Sequence, residues 1–212
     1  MKRCAPGDPS LARCHEVVLG VPGNRKTTYI HDVASRAGSS GETVLIFSHT
    51  RAAVQEVRHR LATNASCGDE MVHVATMHAW CSCAAASVGQ PHASLHTLIP
   101  EALHALNTQQ GIKWLSGERR DLLCVDEAQD LSPDQLAVVR LIVTAWQCRC
   151  LVVGDPSQSI FGFQGARPML LVQVVPQLLR DATASYDCVV QCRAENFRCS
   201  PAIVRAANLN LK

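Results

Sequence analysis

The feature that most constrains the fold of this chain is a regular alternation of short apolar runs with stretches of helical periodicity. Several of the runs are apolar throughout, as in strands that helices cover on both faces. This alternation predicts an α/β domain with a mostly parallel sheet flanked by helices. The predicted strands are residues 16–19, 43–47, 71–75, 122–125 and 150–153, and the predicted helices include 26–36, 51–61 and 133–144, the last with Ser132 as its N-cap.

One stretch, residues 82–120, departs from this alternation. It is rich in alanine and then in histidine, proline and glutamine, with a helical patch at 100–106. We expect a small insertion or excursion from the sheet here. The 212 residues are enough for one sizeable core and too few for two full domains, so we predict a single domain over 1–212.

Composition leaves the function open, because a net charge of +2 neither requires nor excludes a nucleic-acid partner. No apolar run approaches the roughly 18 residues of a membrane span. The polar start of the chain also lacks the apolar segment of a targeting signal. We therefore expect a soluble, intracellular protein, in the cytoplasm or the nucleus, with no membrane partner.

Eleven cysteines are many for such a chain. A disulfide framework is not expected without a signal peptide, and the cysteines lack the standard spacing of zinc ligands. Most are predicted to be reduced and to act as small buried hydrophobes. The alternative is an unrecognised metal site that involves Cys188, Cys192 and Cys199.

A loop with two glycines connects the first predicted strand to the first predicted helix. In a phosphate-binding loop (P-loop), backbone N–H groups cradle the phosphates, a lysine reaches the β- and γ-phosphates, and a Ser or Thr hydroxyl binds Mg²⁺. Lys26 and Thr27 are placed for the last two roles. The alternative is an ordinary Pro-Gly turn before a helix. The residues predicted to bind the nucleotide are Gly20, Val21, Pro22, Gly23, Asn24, Arg25, Lys26, Thr27 and Thr28, with the loop proper at 20–27.

Two acids, Asp126 and Glu127, directly follow the apolar run 122–125. Ligands of parallel sheets bind at the carboxyl ends of the strands, where these acids would lie. Phosphoryl transfer needs a metal to neutralise charge and a base to position the nucleophile. We predict that Asp126 holds Mg²⁺ together with Thr27, and that Glu127 polarises the attacking water. The alternative is that both acids merely open a surface turn.

Further stretches make the pattern recognisable. Asp126-Glu127-Ala128-Gln129-Asp130 is followed by Gly154-Asp155-Pro156-Ser157-Gln158-Ser159-Ile160-Phe161-Gly162-Phe163-Gln164-Gly165-Ala166. These two stretches resemble motifs II and III of UvrD/Rep-type superfamily 1 DNA helicases. The P-loop resembles motif I, residues 48–57 resemble motif Ia, 76–81 the Thr-x-His motif, and 195–200 motif IV, all in the family's order.

The resemblance implies a RecA-like P-loop NTPase domain that uses ATP and Mg²⁺ and acts on single-stranded DNA. It implies that Gln158 senses the γ-phosphate and that Arg198 is an arginine finger, so that Glu127, Gln158 and Arg198 form the catalytic set. Phe161 and Phe163 would stack on bases, with packing in the core as the alternative. The residues implied to touch the phosphates or sugars of the strand are Thr50, Arg51, Thr76 and His78, and His78 has the same alternative of a core residue.

Several positions depart from the family's pattern. Arg25 replaces the glycine expected before the P-loop lysine, and Gln164 stands in place of an arginine. An upstream glutamine motif that reads adenine is not found. The chain ends at Lys212, after motif IV, so we expect the second RecA-like domain to be absent from it and to come from a second polypeptide or from sequence missing from this chain. The sequence thus indicates the first motor domain of an ATP-dependent helicase. The alternative is a truncated or degenerate module that binds nucleotide, DNA or a protein partner without unwinding.

Overall fold

The computed structural model describes residues 14–21, 23–63, 71–90, 94, 96–158, 170–193, 195–200 and 202. Six strands and seven α-helices are described in these ranges. The strands are β1 (Cys14–Gly20), β2 (Val44–Phe47), β3 (Val72–Ala75), β4 (Leu122–Val125), β5 (Arg149–Gly154) and β6 (Asp187–Arg193), and the helices are α1 (Lys26–Ser39), α2 (Arg51–Thr63), α3 (Met77–Ser87), α4 (Leu98–Leu106), α5 (Gln109–Gly117), α6 (Pro133–Trp146) and α7 (Val175–Ala182).

The strands form one sheet in the order β3-β2-β4-β5-β1-β6. Every pair of neighbours is parallel, which confirms the predicted α/β fold and makes the sheet wholly parallel in the described residues. A parallel sheet brings the carboxyl ends of all its strands to one edge. The P-loop after β1 and the acids after β4 therefore lie on the same edge of the domain.

Helices cover both faces of the sheet, which explains why its central strands are apolar throughout. One face buries Val18, Ile46 and Cys124 against α1 and α2. The opposite face buries Leu45 and Leu123 against α3 to α7. Each of the four central strands thus supplies side chains to two separate cores.

In its described residues, the stretch 82–120 contains the end of α3 and the whole of α4 and α5. It adds helices to one face of the sheet, and its apolar residues join the main core. Leu98, Leu106 and Leu115 are fully buried there, and the indole N–H of Trp146 in α6 donates to the Leu115 carbonyl at 2.7 Å. These helices are therefore an integral layer of the domain.

The predicted capping of α6 is confirmed. The Ser132 hydroxyl accepts a hydrogen bond from the Gln135 backbone, and the Gln135 side chain accepts one from the Ser132 backbone. β6 and α7 had no counterpart among the predicted elements. β6 lies at the edge of the sheet and most of its residues are half-buried or exposed, so it lacks the apolar run that marks the central strands. None of the helices in the described ranges has both the length and the hydropathy of a membrane span.

The packing of α5 on α4 predicts that Gly111→Ala destabilises the domain. A Cβ at Gly111 would lie 2.3 Å from the Ala105 carbonyl oxygen and 2.5 Å from Leu106 Cα, and backbone atoms cannot move aside easily. We expect the free energy of unfolding in urea to fall by about 1–3 kcal/mol. Gly117→Ala is the matched control, because a Cβ there meets nothing within 4 Å in the same helix. Equal effects of the two substitutions would contradict the packing argument.

Candidate nucleotide-binding site

The predicted P-loop leaves β1 at Gly20 and enters α1 at Lys26, and the end of β6 holds it in place. The Arg193 carbonyl accepts hydrogen bonds from the Val21 N–H at 3.3 Å and from the Asn24 side-chain amide at 3.1 Å. A Cβ at Gly20 would lie 1.8 Å from Asn24 Nδ2, so this close approach requires glycine. Pro22 was also predicted to bind nucleotide and lies outside the described residues.

The Lys26 ammonium is buried beneath the loop, with 8% of the residue exposed. Its Nζ donates to the Gly20 carbonyl at 3.0 Å and to the Val21 carbonyl at 3.3 Å, and lies 4.0 Å from Asp155 Oδ2. That buried Oδ2 has no hydrogen-bond donor within reach among the described residues, and the same holds for Asn24 Oδ1. A buried cation, Lys26, therefore lies beside the buried oxygen of Asp155 that lacks a hydrogen-bond donor among the described residues.

Thr27 and Asp126 are in direct contact, as the metal-site prediction requires. The Thr27 hydroxyl donates to Asp126 Oδ2 at 3.0 Å, and Asp126 Oδ1 accepts from the Glu127 N–H at 3.0 Å. Burial, and then the charge of Glu127, raise the pKa of Asp126 to about 6. A hydroxyl and a buried carboxylate are the hard oxygen ligands that Mg²⁺ takes, so these residues fit that ion chemically.

Glu127 is held by a residue for which the sequence suggested no role. The Gln129 side-chain amide donates to Glu127 Oε2 at 2.8 Å, and its carbonyl oxygen accepts from the Asp155 N–H at 2.9 Å. Gln129 therefore ties the acids after β4 to the end of β5. Gly154 allows this contact, because a Cβ there would lie 2.7 Å from Gln129 Oε1. In the sequence, the one signal for this role is that Gln129 lies within the stretch that resembles motif II, residues 126–130.

Arg25 occupies the position where the family has glycine, and it keeps the backbone that glycine favours. Its φ of 61° and ψ of 38° lie in the left-handed region. The side chain turns outward, and its guanidinium lies 4.7 Å from the centre of the Phe197 ring. Phe197 is itself 54% exposed. The arginine thus leaves the interior of the loop uncrowded and caps its outer side through a cation–π contact.

Arg198 lies beside Gly23 of the predicted P-loop, in the turn that follows β6. The Phe197 N–H donates to the Gly23 carbonyl at 2.9 Å, and a Cβ at Gly23, where φ is +76°, would lie 2.6 Å from Arg198 Cβ. The Asn196 side chain orders this turn by accepting from the Arg198 and Cys199 N–H groups. Gln158 is exposed and ends a 3₁₀ turn, Pro156–Gln158, that begins one residue after Asp155.

Four of the residues predicted to contact DNA, at the ends of β2 and β3, lie farther along the same edge. Thr50 and Thr76 cap α2 and α3, because their hydroxyls accept from the N–H groups of Ala53 and Ala79. Arg51 and His78 follow them and are exposed, so the alternative of a core position for His78 is wrong. Partial desolvation by its neighbours, and then the nearby His49, lower the pKa of the exposed His78. Phe161 and Phe163, together with the departure at Gln164, lie outside the described residues.

The cysteine predictions have a mixed outcome. Cys81, Cys124, Cys148 and Cys150 are free and buried, whereas Cys83 and Cys192 are exposed. Burial raises the pKa of Cys81 to about 12, so its thiol stays protonated. Within the described ranges, no group of three His, Cys, Asp or Glu side chains is arranged to hold a metal, so a site built on Cys188, Cys192 and Cys199 is not supported.

Comparison with known proteins agrees with this geometry. Residues 89–178 match the family model of the UvrD/REP helicase N-terminal domain. This segment of the chain is therefore similar to the N-terminal domain of UvrD/Rep-like helicases. Its wholly parallel sheet is that of an α/β RecA-like domain. The matched segment contains the acids after β4 and the end of β5, and begins after the P-loop.

Individual helicases are similar over part of the chain. ATP-dependent DNA helicase Rep of Escherichia coli K12 is 36% identical over 115 residues, which are 53% of this chain and 15% of Rep. Rep of Salmonella typhimurium is 36% identical over 112 residues, 53% of this chain and 15% of that protein. One subunit of the ATP-dependent helicase/nuclease of Lactobacillus delbrueckii subsp. bulgaricus is 32% identical over 87 residues, 41% of this chain and 7% of that protein. The chain therefore matches about 15% of the length of the Rep relatives.

The raised pKa of Asp126 predicts a pH-dependent difference in stability between this domain and its Asp126→Asn variant. The folded carboxyl keeps its proton up to about pH 6, whereas in the unfolded chain it ionises near its ordinary value of 3.8. The stability that Asp126 contributes is therefore lost as the pH rises from about 4 to 6. In EDTA, we expect the parent to lose up to about 3 kcal/mol relative to the variant over this range. A difference in unfolding free energy that does not change with pH would contradict the prediction.

The left-handed backbone of Arg25 predicts that Arg25→Gly is more stable than Arg25→Ala. Both substitutions remove the contact with Phe197, and only glycine relieves the left-handed strain of about 1–2 kcal/mol. The greater freedom of glycine in the unfolded chain offsets about 0.4–1 kcal/mol of this gain. We expect a net difference of about 0.5–1 kcal/mol in urea unfolding. Equal midpoints for the two variants would show that the backbone changes conformation on substitution.

Proposed function

We propose that this domain binds Mg²⁺-ATP at the carboxyl edge of its sheet and hydrolyses it as the first motor domain of a DNA helicase. The observation that carries the proposal is the convergence of three strand ends on one site. Lys26 after β1, Asp126 after β4 and Asp155 after β5 lie within a network of direct contacts, with Thr27 bonded to Asp126. The names of the relatives, ATP-dependent helicases, support the same chemistry.

Each group has a role that its surroundings support. On nucleotide binding, the Lys26 ammonium would exchange the carbonyls of Gly20 and Val21 for phosphate oxygens, with loop N–H groups cradling the rest. Thr27 and Asp126 would hold Mg²⁺, which neutralises charge on the phosphates. Glu127, oriented by Gln129, would position the attacking water.

Arg198, next to Gly23, and Gln158, in the turn after β5, complete the proposed catalytic set. Arg198 starts from an exposed position next to Gly23 and would turn toward the γ-phosphate to stabilise charge in the transition state. Gln158 follows Asp155, whose carboxylate lies beside Lys26, and would report the state of the phosphates to the DNA-binding side. Unwinding would require a second RecA-like domain in the assembled helicase.

We propose single-stranded DNA as the polymer on which the motor acts. Thr50, Arg51, Thr76 and His78 lie at the ends of β2 and β3, on the same edge as the nucleotide site. The hydroxyls and the cationic side chain suit contacts with phosphates and sugars, which are independent of sequence. Phe161 and Phe163 are proposed to stack on bases.

A second candidate function is binding without turnover. The left-handed backbone of Arg25 favours it. The contact of the Arg25 guanidinium with the Phe197 ring restrains the loop, and a restrained loop would adjust less readily around bound phosphates. Such a domain would bind ATP or DNA and lack hydrolysis. The two candidates differ in one measurable property, the turnover of ATP by a protein that binds it.

ATP binding and hydrolysis by paired variants test the proposal. We expect Lys26→Ala to lower ATP affinity by at least about tenfold, because the cation that meets the phosphates is lost. Glu127→Gln should keep the affinity and lose at least about a hundredfold in turnover, since a positioned base contributes about 10²–10⁴-fold. Lys113→Ala, in an exposed turn of α5, is the control for loss of a lysine. A parent protein that binds ATP through Lys26 and never hydrolyses it, with or without single-stranded DNA, would select the second candidate.

A further inference from the structure

A second concave site lies at the opposite end of the sheet from the P-loop. A cavity of about 580 Å³ opens beside the edge strand β3, between α2, α3 and the segment that leads into β4. Its volume is within the range of about 300–1,000 Å³ that small-molecule sites occupy. We call it the β3-edge pocket. The lining residues used below are Arg51, Arg58, His73, Thr76, Trp80, Trp114, Glu118, Arg120 and Trp146.

The wall of the β3-edge pocket is positively charged. Arg51 and Arg58 lie two turns apart on α2, and Arg120 precedes β4, against the single acid Glu118. Arg58 is fixed in place because its Nε and Nη2 donate to the Val74 carbonyl at 3.2 and 2.6 Å. Arg120 bonds to the carbonyls of Glu118 and Arg119 and pairs with the Glu118 carboxylate at 3.3 Å. The wall thus has more cations than it has acids to pair with them.

His73 also lines the pocket, at an exposed position of β3. Partial desolvation lowers the pKa of this histidine first, the charges of Arg58 and Arg120 lower it further, and the charge of Glu118 raises it. The guanidinium groups of two separate segments therefore act on one ring. A pocket of this kind attracts anions with several oxygen atoms, because guanidinium groups bind phosphate through two parallel hydrogen bonds.

Aromatic rings form the other wall. Trp114 is half-buried, and its ring centre lies 5.5 Å from that of Trp80, which in turn contacts Trp146 at 6.3 Å. The exposed part of Trp114 offers a flat apolar surface, supported from behind by the two buried rings. Flat aromatic surfaces stack on nucleobases of any sequence.

We propose that the β3-edge pocket binds one nucleotide unit, with its phosphate on Arg51, Arg58 and Arg120 and its base against Trp114. Arg51 and Thr76 line both this pocket and the proposed DNA path. We therefore assign the bound nucleotide to the single-stranded DNA, at the point where the strand passes β3. This source rests on the proposed function. A free nucleotide has the same chemistry, and the experiment separates the two.

Tryptophan fluorescence can measure binding to this pocket, because all three tryptophans of the chain line it. We expect an oligothymidylate of about eight nucleotides to quench their fluorescence, since a nucleobase would stack on Trp114. Thymidine monophosphate should quench only at much higher concentration if the strand is the source. Quenching by the monophosphate alone would keep the nucleotide site and assign it to free nucleotide. Quenching by neither ligand would overturn the proposal.

Variants locate the binding, followed by the anisotropy of a labelled oligothymidylate so that the loss of a tryptophan does not matter. Arg120→Gln and Trp114→Leu should each weaken binding about tenfold. Arg51→Gln, at an exposed position, gives the same test without a risk to folding. Arg60→Gln is the matched control, because Arg60 lies on α2, pairs with Glu56 and does not line the pocket. An equal loss in Arg60→Gln would mean diffuse attraction only and would overturn the proposal.

ATP binding to the P-loop, measured by equilibrium dialysis, is an independent readout of the proposed function. A parent protein that binds Mg²⁺-ATP and loses it in Lys26→Ala, yet shows no quenching by either thymidylate, would keep the nucleotide-binding motor domain and lose the β3-edge pocket. A protein that fails to bind ATP and still shows Arg120-dependent quenching would do the reverse.

Discussion

The buried ammonium of Lys26 is the charge around which the carboxyl edge of this sheet is built. Removing such an ion from water costs several kcal/mol unless acceptors replace its hydration. The carbonyls of Gly20 and Val21 supply two acceptors, and Asp155 supplies a counter-charge at 4.0 Å. These groups follow β1 and β5, which are neighbours paired from Glu16 to Leu19. The ion is therefore compensated only when those strands are correctly aligned, so the fold and the site impose the same requirement.

Side-chain contacts extend this requirement to a third strand. Thr27 joins the start of α1 to Asp126 after β4, and Gln129 joins Glu127 to the backbone of Asp155 after β5. Asp155 lies beside Lys26 and also donates to Gln129, which holds the proposed base Glu127. A ligand that changes the surroundings of Lys26 would therefore also affect the position of Glu127. The site is pre-arranged for charge neutralisation, because its acids are already placed and partly desolvated before any cation arrives.

Local patterns predicted the parts of this structure that depend on local physics. β4 and the cap of α6 could be predicted because an apolar run and a Ser-Pro-Asp-Gln segment each carry their own signal. β6 could not, since an edge strand with half-buried residues has no such run. The contact of Arg25 with Phe197 and the cluster of three tryptophans join residues far apart in the chain, and only the assembled sheet brings them together.

Arg25 is the main departure of the predicted P-loop from the UvrD/Rep pattern, and its neighbours offset part of the cost. A left-handed arginine costs about 1–2 kcal/mol, and an exposed cation–π contact returns about 0.5–1 kcal/mol. The remainder must come from neighbours that hold the backbone, and two are visible: the Gly23 carbonyl binds the Phe197 N–H, and Asn196 orders the turn that carries Arg198. Strain of this kind persists where the surrounding structure over-determines the conformation. Because the same turn carries the proposed arginine finger, any movement of Arg198 toward a phosphate would also disturb the contact that accommodates Arg25.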